Sequence, residues 1–144
     1  MAIHRPALPE DTLEIEKLFS MISSSVEVKA QFNWSVQAIQ TAMNENKFFV
    51  SAVDNKIIAF ICYHELADDI EILALGIDPE YSGRGLMKSM VFNFLTSCTN
   101  GSSLCFLEVH EGNSKAIGLY QALGFKIDRV RANYYADGAN ALVM

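Results

Sequence analysis

Ile70-Glu-Ile-Leu-Ala-Leu-Gly-Ile-Asp78, then Pro79-Glu-Tyr-Ser-Gly-Arg-Gly85, then Leu86-Met-Lys-Ser-Met-Val-Phe-Asn-Phe-Leu-Thr-Ser-Cys98 read in succession as a strand, a tight turn and a helix. The first run is apolar and β-rich. Pro79 ends it, because proline offers no amide hydrogen to the next ladder bond. Beyond the turn, Leu86, Met90, Val91, Phe94, Leu95 and Cys98 recur at helical spacing. The first amides of such a helix have no partner within it, and the helix dipole is positive there. Gly83 and Gly85 let a bulky anion such as a pyrophosphate approach the backbone, and Arg84 adds a positive charge. Two glycines describe an ordinary tight turn equally well. No Gly-Lys-Ser/Thr follows, so this is not a Walker loop, and the third glycine of a dinucleotide fingerprint is missing.

A chain of 144 residues, 51% hydrophobic and 19% charged, is long enough for one domain with a real core. With 11 basic and 17 acidic residues its net charge is −6, which argues against a general nucleic-acid binder. Cys62, Cys98 and Cys105 stand far apart, without metal or redox spacing, and read as free thiols. The first residues lack the apolar run of a signal peptide, and no stretch approaches the roughly 20 apolar residues of a membrane span. The expectation is a soluble cytoplasmic protein, monomer or homodimer, with no membrane or nucleic-acid partner.

Ahead of the central stretch, Ile3 to Arg5 reads as a short edge strand. Asp11 with Glu14 forms a capping-box pattern that opens a helix carrying Ile15, Leu18, Phe19 and Ile22. Val26 to Asn33 is polar and reads as a loop or short helix. Ser35 caps a second helix with Val36, Ile39 and Met43. Trp34 is placed to staple onto Ile39, the alternative being a cleft residue. Phe48 to Val53 and Ile57 to Glu65 form a hairpin around Asp54-Asn55-Lys56. After the central helix come a loop, Thr99 to Ser102, and a strand, Leu104 to His110. A short helix follows, capped by Asn113 or Ser114. Gly124 takes its C′ position, so that Phe125 packs on Tyr120. Phe125 to Val130 and Ala139 to Met144 read as closing strands around an Asp137-Gly138 turn. This order describes an α+β, mixed-sheet domain.

Glu108 interrupts an apolar strand. A carboxylate there must be paired, solvated or protonated. Two readings stay open: a general base, or a carboxylate neutralised by a basic group or facing water. Tyr120 is either a core residue or a phenol presented to the same cleft. His4, His64 and His110 show no metal-ligand spacing, and no metal is expected. His110 shares a strand face with Glu108. No serine or cysteine stands in a nucleophile motif, which points to direct transfer between two bound partners.

The segment Leu75 to Met87, together with Asn113-Ser-Lys-Ala-Ile-Gly-Leu-Tyr120 and Gln121-Ala-Leu-Gly-Phe125, resembles the GCN5-related N-acetyltransferases. Leu107-Glu-Val109, Arg131-Ala-Asn-Tyr-Tyr-Ala-Asp-Gly138 and Ala141 to Met144 are similar to the family's RimI type, which acetylates the N-terminal alanine of a small-subunit ribosomal protein. The resemblance implies one domain over residues 1–144. Its sheet would have six to seven mostly antiparallel strands, splayed between the fourth and fifth, with about four flanking helices. It implies acetyl-CoA as co-substrate, its pantetheine arm along Leu75, Gly76 and Ile77, and its pyrophosphate on Ser82, Gly83, Arg84, Gly85, Leu86 and Met87. Asn113 would touch the same arm, Glu108 would be the general base and Tyr120 the general acid. Ser82 and Met87 depart from the family's usual residues beside the turn glycines, and His110, Ala139 and Asn140 depart from the RimI tail. The acceptor would be a protein N-terminus, or alternatively a small-molecule amine. A non-catalytic CoA-binding module is the reading from another class.

Overall fold

The computed structural model describes residues 1–23, 36–45, 47–98 and 104–144. The expected loop at Val26 to Asn33, the Trp34 staple, the Ser35 cap and the Thr99 to Ser102 loop lie outside the described residues. In chain order the elements are β1 (Ile3–Pro6), α1 (Thr12–Ser23), α2 (Val36–Glu45), β2 (Lys47–Val53), β3 (Lys56–Leu66), β4 (Asp69–Ile77), α3 (Leu86–Cys98), β5 (Cys105–His110), α4 (Ser114–Ala122), β6 (Arg129–Arg131) and β7 (Ala141–Val143). They form one seven-stranded sheet in the order β1-β2-β3-β4-β5-β7-β6. Every neighbouring pair is antiparallel except β4 with β5.

β2 and β3 are almost continuously apolar because both of their faces are covered. One face packs on α1, where Phe19 stacks on Phe60 with ring centroids 4.7 Å apart and Phe48 packs edge-on at 6.5 Å. The other face packs on α3, where Phe94 meets Tyr63 at 4.7 Å and Phe49 at 5.5 Å. The hairpin between β2 and β3 turns on two residues, Asp54 and Asn55, both with positive φ, as a type I′ turn requires.

β4 carries a bulge at Leu73: Cys62 faces Ala74, but Tyr63 already faces Ile72. The extra residue flips the strand's alternation. Leu75 and Ile77 therefore join Ile70 and Ile72 on the α3 side, while Ala74 stays with the α1 cluster. Gly76 also faces α1, where a Cβ would sit 2.6 Å from Ile22 Cδ1 and 3.3 Å from the Phe60 ring. Packing, rather than ligand access, excludes a side chain there.

Two expectations are corrected. Asp11 and Glu14 do not form a capping box. Asp11 takes the Arg5 guanidinium, at 2.6 and 3.2 Å, and the Leu8 amide, at 2.7 Å. Glu14 accepts the Ile57 amide from β3. The closing strand expected from Phe125 begins only at Arg129, because Phe125 is committed to the end of α4. There the Phe125 amide donates to Tyr120 O and the Gly124 amide to Gln121 O. This is the double bond pattern of a Schellman end, and the Phe125 ring lies 5.7 Å from that of Tyr120, as expected.

Phe94 is fully buried between β2, β3 and α3. Phe94→Ala is expected to cost about 3–5 kcal/mol, read as a lower urea midpoint with an unchanged denaturant slope.

Candidate active site

β4 and β5 stay together only from Ile70–Cys105 to Ile72–Leu107. Beyond that, Glu108 to His110 pair with β7 instead, while β4 runs on beside β3. Between the diverging strands opens a cleft of about 1120 Å³. Its walls include Leu75, Gly76, Ile77, Ser82, Gly83, Gly85, Leu86, Met87, Glu108, Asn113 and Tyr120. The two strands, the turn and α4 thus bring eleven of the twelve residues anticipated from the sequence to one cavity.

The main chain of β4 has a direction here. The Asp78 amide bonds Ile58 O on β3. In an antiparallel ladder such partners alternate, so Gly76 and Ala74 also turn their main-chain groups toward β3. Leu75 and Ile77 turn theirs toward the cleft.

The turn between β4 and α3 supplies donors. Gly83 and Gly85 hold φ of +78° and +76°, a conformation that costs other residues roughly 1–2 kcal/mol. Ser82 lines the cleft, but its amide already donates to Pro79 O at 3.3 Å. Among the described residues no acceptor takes the amides of Gly83 to Met87, which stand at the positive end of α3.

Arg84 is the exception among the twelve. It is absent from the cleft wall; its guanidinium donates to Glu80 O at 3.0 Å and lies 5.3 Å from the Tyr81 ring centre. The positive charge expected at the turn comes instead from Lys88 and Lys115, which do line the cleft. Both lie within helical sequence as unremarkable surface lysines, and no local pattern marks them.

Glu108 is half-buried and paired. Its Oε1 lies 2.5 Å from Arg131 Nη1, so of the two readings left open, neutralisation by a basic group is the one observed. Arg131 sits on β6, 23 positions away, a distance at which sequence offers no signal. Tyr134 and Tyr135 also line the wall; they belong to the tail segment that carries the RimI-type resemblance, but their place beside Glu108 depends on the same distant strand pairing. Burial, then a hydrogen bond to Glu108, raises the Tyr134 phenol. Burial, then the Glu108 charge, pushes Tyr135 up to about 12. Tyr120 is 5% exposed, and burial first, then Tyr135, raises its phenol well above its ordinary value. Burial therefore favours the protonated form of the Tyr120 phenol.

Asn113 caps α4, its Oδ1 accepting from the Ala116 amide at 3.2 Å. His110 lines the cleft and is also satisfied. Its Nε2 lies 2.8 Å from Asp137 Oδ2 and its Nδ1 accepts from the Gly112 amide at 2.9 Å, so the proton belongs on Nε2. Burial pushes the Cys62 and Cys105 thiols up to about 12 each, which leaves neither poised as a nucleophile. Among the described residues no helix is long and apolar enough to cross a membrane.

Comparison with known proteins identifies a family and a shared fold. Residues 11–125 match the family model described as "Acetyltransferase (GNAT) family". The ribosomal protein bS18-alanine N-acetyltransferase of Escherichia coli (strain K12) is 29% identical over 118 residues, spanning 78% of this chain and 80% of that protein. The crystal structure of the ribosomal-protein-S18-alanine N-acetyltransferase from Escherichia coli superposes with a TM-score of 0.78 at 24% identity, covering 100% of this chain and 92% of that one. Arabidopsis thaliana NAA60 in complex with acetyl-CoA has the same fold, with a TM-score of 0.76 at 16% identity over 99% of this chain and 96% of that one.

The raised phenols make an alkaline prediction. A buried neutral tyrosine favours the folded state fully below its ordinary value of 10.0, and that contribution is lost as pH climbs above it. Stability is expected to fall steeply above about pH 10. Tyr120→Phe is expected to flatten that fall, in urea titrations taken at successive pH values.

Proposed function

Because the chain belongs to the acetyltransferase (GNAT) family, we propose that it transfers the acetyl group of acetyl-CoA directly to a primary amine, most specifically to the N-terminal α-amine of a protein beginning with alanine. The observation that carries this reading is the convergence of Glu108 and Tyr120 on one cleft, at the point where β4 and β5 part.

The residues present suit acetyl-CoA. The outward main-chain groups of Leu75 and Ile77 match an amide-bearing pantetheine arm, as an added strand would. The unpaired amides of Gly83 to Met87, with Lys88 and Lys115 on the same wall, match phosphates. Asn113, as a cap whose side chain is fixed beside the cleft, would contact the arm. Bound there, acetyl-CoA supplies an activated acyl carbon. The Ile77 amide would donate to the thioester oxygen as charge builds on it.

Glu108 takes one proton from the incoming ammonium, directly or through water, and passes it to solvent. The freed nitrogen forms its bond to the acyl carbon as the carbon–sulfur bond breaks. Tyr120 gives its proton to the departing sulfur and recovers one from the new amide nitrogen, so two protons leave nitrogen in all. Freeing an amine at pH 7 costs about 1 kcal/mol for an α-amine near pKa 8 but about 5 kcal/mol for a lysine near 10.4. That difference favours an N-terminus as acceptor. The relatives named as alanine N-acetyltransferases support the same choice.

A small-molecule amine is the second reading. It is favoured by His110, which stands where the RimI type has arginine and is turned onto Asp137. A panel of alanine-first peptides set against polyamines and amino acids separates the two by relative kcat/KM.

With acetyl-CoA and an alanine-first peptide, free thiol is expected to appear. Glu108→Gln is expected to lower kcat by roughly 10²–10⁴, with acetyl-CoA affinity by calorimetry unchanged. Acetyl-CoA binding by calorimetry with no thiol release by the parent chain above background would leave only a CoA-binding module, and unchanged rates in both Glu108→Gln and Tyr120→Phe would remove those two residues from the chemistry.

A further inference from the structure

The carboxylate that the mechanism needs free is held by the chain's own cation. Arg131 projects from β6, a three-residue edge strand whose residues are all exposed. Its guanidinium lies 4.4 Å from the Tyr134 ring centre and against Glu108 Oε1. The Arg131 side chain is 49% exposed and that of Glu108 23% exposed. A pair so open to solvent changes an equilibrium only a fewfold, so it can be broken without unfolding anything.

A second carboxylate stands on the same wall of the cleft. Glu71 lines the cleft, sits on the strand face shared by Phe106 and Glu108, and acts electrostatically on Arg131. Among the described residues Glu71 Oε1 approaches His64 Nε2 to 3.1 Å, without hydrogen-bond geometry. Arg131 therefore has two anions to choose between, one at the reacting end of the cleft and one farther back along β4.

We infer that Arg131 is a displaceable gate on Glu108: the acceptor's ammonium replaces the guanidinium cation for cation, and Glu71 receives the guanidinium that is released. This rests on the acetyl-transfer reading and adds to it a residue that governs acceptor entry. The Glu108 carboxylate is never left uncompensated in the cleft, since one cation leaves only as another arrives. The gate also selects acceptors that arrive charged, because a neutral molecule cannot replace the guanidinium at no electrostatic cost.

Two measurements test it. In steady-state kinetics with an alanine-first peptide, Arg131→Gln is expected to lower the acceptor KM by roughly two- to fivefold, leaving the acetyl-CoA KM unchanged, while Arg131→Lys behaves as the parent. An acceptor KM that rises or does not change overturns the gate. The second measurement needs no turnover: arginine side-chain ¹⁵N NMR of the unsubstituted chain, with the Arg131 signal assigned by its absence in Arg131→Gln. Alaninamide hydrochloride is expected to shift that signal well beyond sodium chloride at equal ionic strength, and to lose this excess in Glu108→Gln. Equal shifts from the two salts overturn the gate. If no peptide is turned over by the parent chain, the acetyl-transfer reading has failed, and the NMR result alone decides the gate.

Discussion

Two parallel strands hold together only while each has the other's main chain to bond, and here β4 and β5 part after Ile72 and Leu107. β4 is drawn along β3 by a long antiparallel ladder, and β5 is drawn to β7 by another. What remains is a strand edge inside the molecule with main-chain groups of Leu75 and Ile77 facing a cavity. Buried backbone polar groups need partners, and the proposed pantetheine arm would supply them. The bulge at Leu73 keeps the same strand packed on both helical layers while it leaves its neighbour.

The electrostatics of the cleft follow from this placement. The chain as a whole is acidic, at −6, yet its cleft combines unpaired helix amides and two lysines at one end with a guanidinium-neutralised carboxylate at the other. Around Glu108 stand Tyr134 and Tyr135, and Tyr135 in turn bears on Tyr120. The proposed base and the proposed acid are thus linked through a wall of phenols. Burial, the larger cause in each, keeps those phenols protonated.

Features with local causes could be read from the sequence. α3 runs from Leu86 to Cys98, as its apolar spacing indicates, because the turn before it contains the two glycines its φ angles demand. The packing of Phe125 on Tyr120 follows from one glycine at the helix end. Glu108 was conspicuous because a carboxylate in an apolar strand needs a reason. Features set by distant partners could not be read. Asp11 and Glu14 have the spacing of a capping box, but Arg5 and the Ile57 amide claim them. Arg84 carries the right charge beside the right turn, yet Tyr81 and the Glu80 carbonyl hold it elsewhere. Arg131 reaches Glu108 only because β7 brings β6 alongside β5, a consequence of topology that no window of sequence contains.

The proposed seat of acetyl-CoA is the edge of β4. Amide hydrogen exchange followed by NMR, with and without acetyl-CoA, tests this residue by residue. Added protection is expected at Leu75, Ile77 and Gly83 to Met87, with none gained at Ala74 or Gly76, whose amides already face β3. Protection that bypasses Leu75 and Ile77, or that falls on Ala74 and Gly76 instead, would contradict it.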